Sequence, residues 1–106
     1  MQQVIGEVHN TDDNGNPSGG MTTSTGLSIT WQNGPLCVNG ERLEPNGCFV
    51  ETVLVAARGR LAHYQNSKFA SRYNADAIDH IDKALAALAS RTKDREARGV
   101  EGTHTV

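Results

Sequence analysis

The second half of the chain carries the clearest hydrophobic pattern. Apolar positions recur at alternating spacings of three and four, at Ile78, Ile81, Leu85 and Leu88, and Thr92 continues the series. Such spacing forms one stripe along an α-helix, as in a coiled-coil seam. Ser71 is a suitable N-terminal cap, and Gly99 is a suitable stop after the last turn. We therefore predict one long helix between these two residues.

A shorter apolar stripe precedes this helix, over residues 48–65. Its members share one helical face: Val50, Val53, Leu54, Ala57, Leu61 and Tyr64. Pro45, Asn46 and Gly47 break the chain before it. Residues 66–70 leave only a short connection to the next helix, which favours an antiparallel pair. We predict a helical hairpin over residues 46–98, in which Gly59 marks a close helix approach.

Residues 27–45 show the two-residue alternation of β-strands. Leu27, Ile29 and Trp31 alternate with polar residues. Further along, Asn39-Gly40 is the dipeptide preferred in two-residue hairpin turns, because both positions tolerate positive φ. The predicted fold class is therefore α+β, with short N-terminal antiparallel strands followed by an antiparallel two-helix hairpin.

The two ends of the chain look different from this middle part. Residues 10–26 are rich in Asn, Gly, Ser and Thr and hold few large apolar groups. Such a segment buries too little surface to offset its ordering entropy. We predict a flexible arm over residues 1–26, an ordered domain over residues 27–106, and within it a polar tail over residues 99–106. The tail is either a frayed end or a flap that closes over a ligand.

Composition narrows the possible functions. The chain has 106 residues, 37% hydrophobic, and a formal net charge of −2. Near-neutral charge argues against DNA binding and against a polybasic membrane role. No apolar run approaches the roughly 20 residues of a membrane span, and no secretory signal is visible. We expect Cys37 and Cys48 to be free thiols in a reducing cytoplasm. So small a core also predicts self-association.

Three arginines are the main candidates for binding an anion. Arg91, Arg95 and Arg98 lie at i, i+4 and i+7 on one face of the long helix. A guanidinium presents a planar fork that matches phosphate oxygens. The alternative is a solvated helix end, with pairs to Asp94 and Glu96 and a favourable interaction with the helix dipole.

Two aromatic residues and an amide flank the turn between the helices. Tyr64 or Phe69 can stack on a purine, and Asn74 can read a base edge or a ribose hydroxyl. The alternative is that both rings plug the end of the core and that Asn74 caps its helix. In an antiparallel hairpin the turn lies far from the arginines. A site that uses both therefore requires an antiparallel second subunit.

Neither a metal site nor an enzyme is indicated. Asp76 and His80 share a face at i, i+4, but two such residues are too few for a metal site. The chain has no Gly-rich phosphate loop, paired cysteine motif or nucleophile elbow. We expect no cofactor, no metal and no catalytic residue.

Several segments carry a resemblance to a known family. They include ITWQNGP at residues 29–35, RGVEGTH at residues 98–104, and the stretches 46–47, 60–65, 68–69, 74–75 and 91–95. The resemblance covers about three quarters of the chain. The part over residues 91–104, which includes RGVEGTH, is the most specific. The sequence resembles the phage anti-Thoeris sponge proteins, which share a helical-hairpin domain with the phage anti-CBASS sponge.

The resemblance implies a function. Members of this family are not enzymes; they bind glyco-cyclic ADP-ribose, the signal of bacterial TIR-domain proteins, and hold it intact in the cytoplasm of the infected host. Some also bind cyclic dinucleotides or trinucleotides in separate pockets, as dimers or hexamers. By position, Tyr64 stacks on adenine, Asn74 reads the ligand and Arg91 binds phosphate. Arg95, Arg98, Phe69, Thr103 and His104 are further candidates. Arg42 is a candidate for an arginine expected from the strand region.

Two rival functions remain open at this stage. The alanine-rich hairpin fits a protein-interaction module that docks on a host protein. A structural or regulatory phage protein that binds nucleic acid would require a steep salt dependence of DNA binding. The near-neutral charge makes that second rival the weaker one.

Overall fold

A computed structural model describes residues 5–106. Its elements are β1 (Gly6–Thr11), β2 (Pro17–Ser24), β3 (Leu27–Asn33), β4 (Cys37–Val38), β5 (Glu41–Arg42), α1 (Val50–Gln65) and α2 (Arg72–Ala97). The predicted α+β class is confirmed: antiparallel strands come first and two helices follow. The chain divides into two compact units. The first ends at Phe49 and also includes Val100–Val106, and the second is Val50–Gly99.

β1, β2 and β3 form an antiparallel three-stranded sheet with β2 in the centre. The prediction of a flexible arm is wrong for residues 6–24, which form the first two strands; residues 1–4 lie outside the described residues. The segment is ordered because its backbone pairs with β3, so that its polar side chains are no obstacle to strand formation. Gly15 and Gly26 provide positive φ at the two turns.

The core of the first unit is small. Among residues 5–106 only Ile29 and Thr22 are buried. They are cross-strand partners, and the Trp31 indole N–H beside them donates to Thr22 Oγ1 at 2.9 Å. The outer side of β3 is extended by Cys48, whose N–H donates to the Thr30 carbonyl and whose carbonyl accepts from the Gln32 N–H.

The polar tail is ordered against the β4–β5 hairpin. The predicted Asn39-Gly40 turn is present, with φ of 52° and 79°. The backbone N–H groups of Leu36 and Cys37 both donate to the Gly102 carbonyl, at 2.7 and 2.9 Å. These bonds join segments that lie before and after the helical hairpin in sequence, and they hold the tail in the first unit. The tail is therefore not a frayed end.

The second unit is the predicted helical hairpin. α1 begins at Val50, two residues later than expected, because the backbone of Cys48 pairs with β3. The predicted cap of α2 is confirmed, since Ser71 Oγ accepts from the Asn74 N–H at 3.1 Å. Gly99 follows the last turn with φ of 73°. Midway, Arg58 donates two hydrogen bonds to the Asp82 carboxylate and thereby links the helices.

The hairpin leaves its seam only partly covered. The predicted seam residues are each half-buried, at Ile78, Ile81, Leu85, Leu88 and Thr92. No residue of either helix is buried. Gly59 does not mark a close approach, because a Cβ there would meet nothing within 4 Å. One partner helix thus covers only part of the apolar surface that the sequence provides. Within residues 5–106, neither helix is apolar enough along its length to cross a membrane.

Candidate functional site

The turn end of the helical hairpin carries exposed aromatic rings. Tyr64, in the last turn of α1, is 37% exposed, and the Arg60 guanidinium lies 5.0 Å from its ring centroid. Phe69, in the turn itself, is 67% exposed, with the Lys68 ammonium 5.3 Å from its centroid. Phe69 is not buried between the helices, so the core-plug alternative does not hold for it, whereas the larger part of Tyr64 is covered. A ring that faces solvent beside a cation suits stacking on a base of an anionic ligand.

Asn74 lies beside the interhelical turn that carries Phe69. Its backbone N–H donates to Ser71 Oγ, and its side-chain amide donates to the Phe69 carbonyl at 3.2 Å. Ser71, and not Asn74, is thus the cap of α2, while the Asn74 side chain makes a local bond to the backbone of the turn. The amide oxygen remains suited to accept from a ligand donor, because a side-chain amide has a donor end and an acceptor end.

Tyr73 is an aromatic residue that the sequence reasoning did not select. It is 71% exposed in the first turn of α2, and the Arg72 guanidinium lies 5.1 Å from its ring centroid. All three exposed rings of the hairpin thus have a cation against them. A signal was available in the sequence, where Lys68-Phe69 and Arg72-Tyr73 place a cation directly before a ring.

The three candidate arginines lie at the other end of the hairpin. Arg91 Nη2 is 4.0 Å from Glu51 Oε2, at the start of α1. Arg98 donates to Asp94 at 3.1 Å, as the solvated-end alternative proposed. Arg95, which lies between Arg91 and Arg98 in sequence, is half-buried. The helix C-terminus favours positive charge here, so these residues contribute to stability whether or not they bind a ligand.

Tyr64 and Arg91 of one chain are far apart. Arg91 lies beside Glu51, and Tyr64 is thirteen positions further along α1. At a rise of 1.5 Å per residue the separation is about 20 Å. The ring and the guanidinium of one chain therefore cannot hold the same small ligand.

Thr103 and His104 lie in the first unit. Thr103 Oγ1 donates to the Val100 carbonyl at 2.6 Å, and His104 Nδ1 lies 3.2 Å from Asn16 Nδ2. The neighbouring Glu101 carboxylate accepts two hydrogen bonds from the Arg42 guanidinium. The strand-region arginine considered from the sequence is thus paired with the tail and fixes its backbone.

Two acidic residues in the first half of α2 are paired with cations. Asp82 pairs with Arg58, which lowers the pKa of the Asp82 carboxyl, and Asp79 pairs with Lys83 at 2.9 Å. Over the described part of the chain, no three histidine, cysteine, aspartate or glutamate side chains are grouped to hold a metal ion. Both cysteines are free thiols.

Comparison with known proteins assigns the chain to a family. The family model described as the Acb2/Tad1 hairpin domain matches residues 29–93. That span includes Tyr64, Phe69, Asn74 and Arg91, but not β1, β2 or the tail. The protein Thoeris anti-defense 1 of Bacillus phage SBSphiJ7 is 42% identical over 77 residues, which cover 73% of this chain and 51% of that protein. The chain thus spans about half the length of this relative.

The matched region contains both helices up to the arginine face and the last strand of the three-stranded sheet, in the order that the structure shows. The predicted resemblance to the phage anti-Thoeris sponges is therefore confirmed, and the chain belongs to the Acb2/Tad1 hairpin-domain family.

Proposed function

We propose that this protein is a phage anti-defence sponge that acts in the cytoplasm of the infected bacterium. It binds a cyclic nucleotide immune signal, with glyco-cyclic ADP-ribose as the first candidate, and holds it without degrading it. The match of residues 29–93 to the family is the observation that carries this proposal, because it contains both Tyr64 and Arg91. Cyclic dinucleotides and trinucleotides are further candidate ligands.

The proposed site forms between subunits. An antiparallel second copy brings the Tyr64 ring at one hairpin's turn to the Arg91 guanidinium at the far end of its neighbour. The half-buried seam of α2 supports such an assembly, since it leaves apolar surface for another helix. A dimer satisfies this requirement, and so does a hexamer built from such dimers.

The chemistry of the proposed site suits a nucleotide with phosphates. Tyr64 stacks on the adenine, Arg91 pairs with a phosphate, and Asn74 accepts from a sugar or base. Phe69 lies at the turn with Tyr64, and Arg95 and Arg98 lie at the far end with Arg91, so they are further candidates for the same contacts. Thr103 and His104, in the first unit, are candidates by their position in the RGVEGTH segment.

The affinity that a sponge needs is within reach of these contacts. Sequestering a signal at nanomolar to micromolar concentration requires a binding free energy near −10 to −12 kcal/mol. Stacking contributes about 1–3 kcal/mol per base, and each charge-assisted hydrogen bond about 1.5–3 kcal/mol. One stacked base and several such bonds in an enclosed pocket therefore reach the required range.

Calorimetry with glyco-cyclic ADP-ribose, a cyclic trinucleotide and a cyclic dinucleotide tests the proposal. We expect submicromolar binding of at least one of them, and recovery of the unchanged ligand after heating, identified by mass spectrometry. Arg91→Ala and Tyr64→Ala should each weaken binding at least 100-fold with the particle mass unchanged in ultracentrifugation. Lys83→Ala is the matched control on α2. Absence of binding to all three ligands would end the proposal.

A protein-interaction module is the second candidate function. The exposure of Phe69 and Tyr73 favours it, because exposed aromatic residues are enriched at protein interfaces. It predicts that a host protein is captured equally by the natural chain and by Arg91→Ala, and that no nucleotide binds.

A further inference from the structure

The outer edge of β1 is an unusual feature of the first unit. β1 lies at one end of the sheet order β1-β2-β3, and all six of its residues are exposed. Within residues 5–106, no strand pairs with its outer side. Exposed edges pair readily with other chains, and proteins normally protect them with charged side chains, proline or a bulge. The residues Gly6–Thr11 include no lysine or proline, and the bulge comes only at the end, between His9 and Thr11. The single carboxylate of the strand, that of Glu7, lies 3.6 Å from His9 Nε2 of the same chain.

The sequence of β1 is complementary to itself. Antiparallel pairing of two identical edges uses a two-fold axis perpendicular to the sheet, which keeps equivalent faces on the same side. When the axis passes through Val8, Glu7 of each copy lies opposite His9 of the other. An axis through Glu7 would place two carboxylates opposite each other, and an axis through His9 would place two imidazoles opposite each other. Charge complementarity therefore selects the register centred on Val8.

The apolar groups of β1 and β2 agree with the same register. Val8 is 57% exposed, and its cross-strand neighbour Met21 is 46% exposed on the same face. When the contact is centred on Val8, the valines of the two copies lie opposite each other at the axis. Met21 of each copy lies next to its own Val8, on the neighbouring strand β2. The contact would thus cover exposed apolar surface on one face and pair acid with base on the other.

We propose that β1 is a docking edge for a second copy of this chain. It pairs antiparallel with its equivalent, Val8 opposite Val8, and joins two three-stranded sheets into one of six strands. The contact lies outside residues 29–93, the span that matches the family. It uses residues of the first unit, whereas the helical contact in the proposed sponge uses residues of the second, so substitutions can test each contact on its own.

Cysteine cross-linking in the full chain tests the register. In a background with Cys37→Ser and Cys48→Ser, Val8→Cys should form a covalent dimer under mild oxidation, because directly opposed strand residues lie within disulfide reach. Glu7→Cys is the matched control: its equivalents would be offset by two residues, about 8 Å apart and beyond that reach. Mixing Glu7→Cys with His9→Cys chains should restore the cross-link. Failure of Val8→Cys to cross-link, or equal cross-linking by Glu7→Cys, would overturn the proposal.

Charge and particle mass give a second measurement. Val8→Lys places two ammonium groups at the axis and should halve the mass in ultracentrifugation, whereas Val38→Lys on β4 should not. Glu7→His and His9→Glu should each weaken the association several-fold, and the double variant should restore it. An unchanged mass for Val8→Lys would contradict the edge contact. Calorimetry on Val8→Lys separates the two proposals, since nucleotide binding should persist when only the edge contact is lost.

Discussion

Arg91 faces Glu51 across the helical hairpin, with Arg91 Nη2 4.0 Å from Glu51 Oε2. This separation is at the outer limit of an ion pair, and exposed pairs of this kind stabilise a fold very little. The same guanidinium can therefore exchange the carboxylate for a phosphate at small cost to the hairpin. In the proposed function, Glu51 therefore competes with the ligand for Arg91.

Substitution of Glu51 tests that competition. Glu51→Gln removes a negative charge near the proposed phosphate and should tighten nucleotide binding several-fold in calorimetry. Asp79→Asn, an equal change of charge on an exposed position of α2 away from the arginines, is the control and should have a smaller effect. Weaker binding by Glu51→Gln would instead mean that Glu51 positions Arg91 for the ligand.

Gly59 offers a test of the free surface of α1. A Cβ at this position would meet no other atom within 4 Å, and the position is exposed. Gly59→Ala should therefore raise the free energy of unfolding by about 1 kcal/mol, the helix propensity difference. Urea denaturation at fixed protein concentration measures it. A destabilised variant would show that another subunit packs closely against this point.

Gly20 is the opposite case in the centre of the sheet. Its φ is 141°, and a Cβ there would lie 2.0 Å from the Val8 carbonyl oxygen. Gly20→Ala should therefore break the pairing of β1 with β2. Hydrogen exchange should show rapid exchange of the β1 amides while the amides of α2 stay protected, since α2 lies in the other unit. Gly59→Ala serves as the comparison, and retained protection in β1 would refute the expectation.

The turn between β1 and β2 should depend on pH. The backbone N–H groups of Asn16 and Asn14 donate to the Asp12 carboxylate, and these bonds lower its pKa below the usual 3.8. A carboxyl with a lowered pKa in the folded state stabilises the fold above its usual pKa. That contribution is lost as the pH falls through the lower, folded-state value.

The amide shifts of Asn14 and Asn16, followed by NMR, should therefore titrate below pH 3.8. Asp12→Ala should remove this titration and loosen the turn at neutral pH. Asp13→Ala, in the same turn, should leave both amides unchanged. A midpoint above the usual value would contradict the assigned hydrogen bonds.

The helices were predictable because their signals are local. The three-and-four spacing of Ile78 through Leu88 and the cap at Ser71 need no knowledge of the rest of the chain. The start of α1 was less predictable, because the backbone of Cys48 forms hydrogen bonds with β3. β1 and β2 were missed because their residues are mostly small and polar. Pairing with β3, and not side-chain alternation, decides their structure.

The candidate site follows the same division. The separation of Tyr64 from Arg91 within one chain was foreseen from the short interhelical connection. The exposure of Tyr73 was not, because spacing alone does not tell an exterior ring from one in the core. The pairing of Arg42 with Glu101 joins residues far apart in sequence, and no local pattern indicates it.

The bonds from Leu36 and Cys37 to the Gly102 carbonyl impose an order on biosynthesis. A chain emerging from the ribosome can complete the helical hairpin before these two amides meet their acceptor. The strand unit is finished only when the segment after the helices is released. Loss of that segment should therefore damage the β4–β5 hairpin, which is made before the helices, and spare the helices themselves.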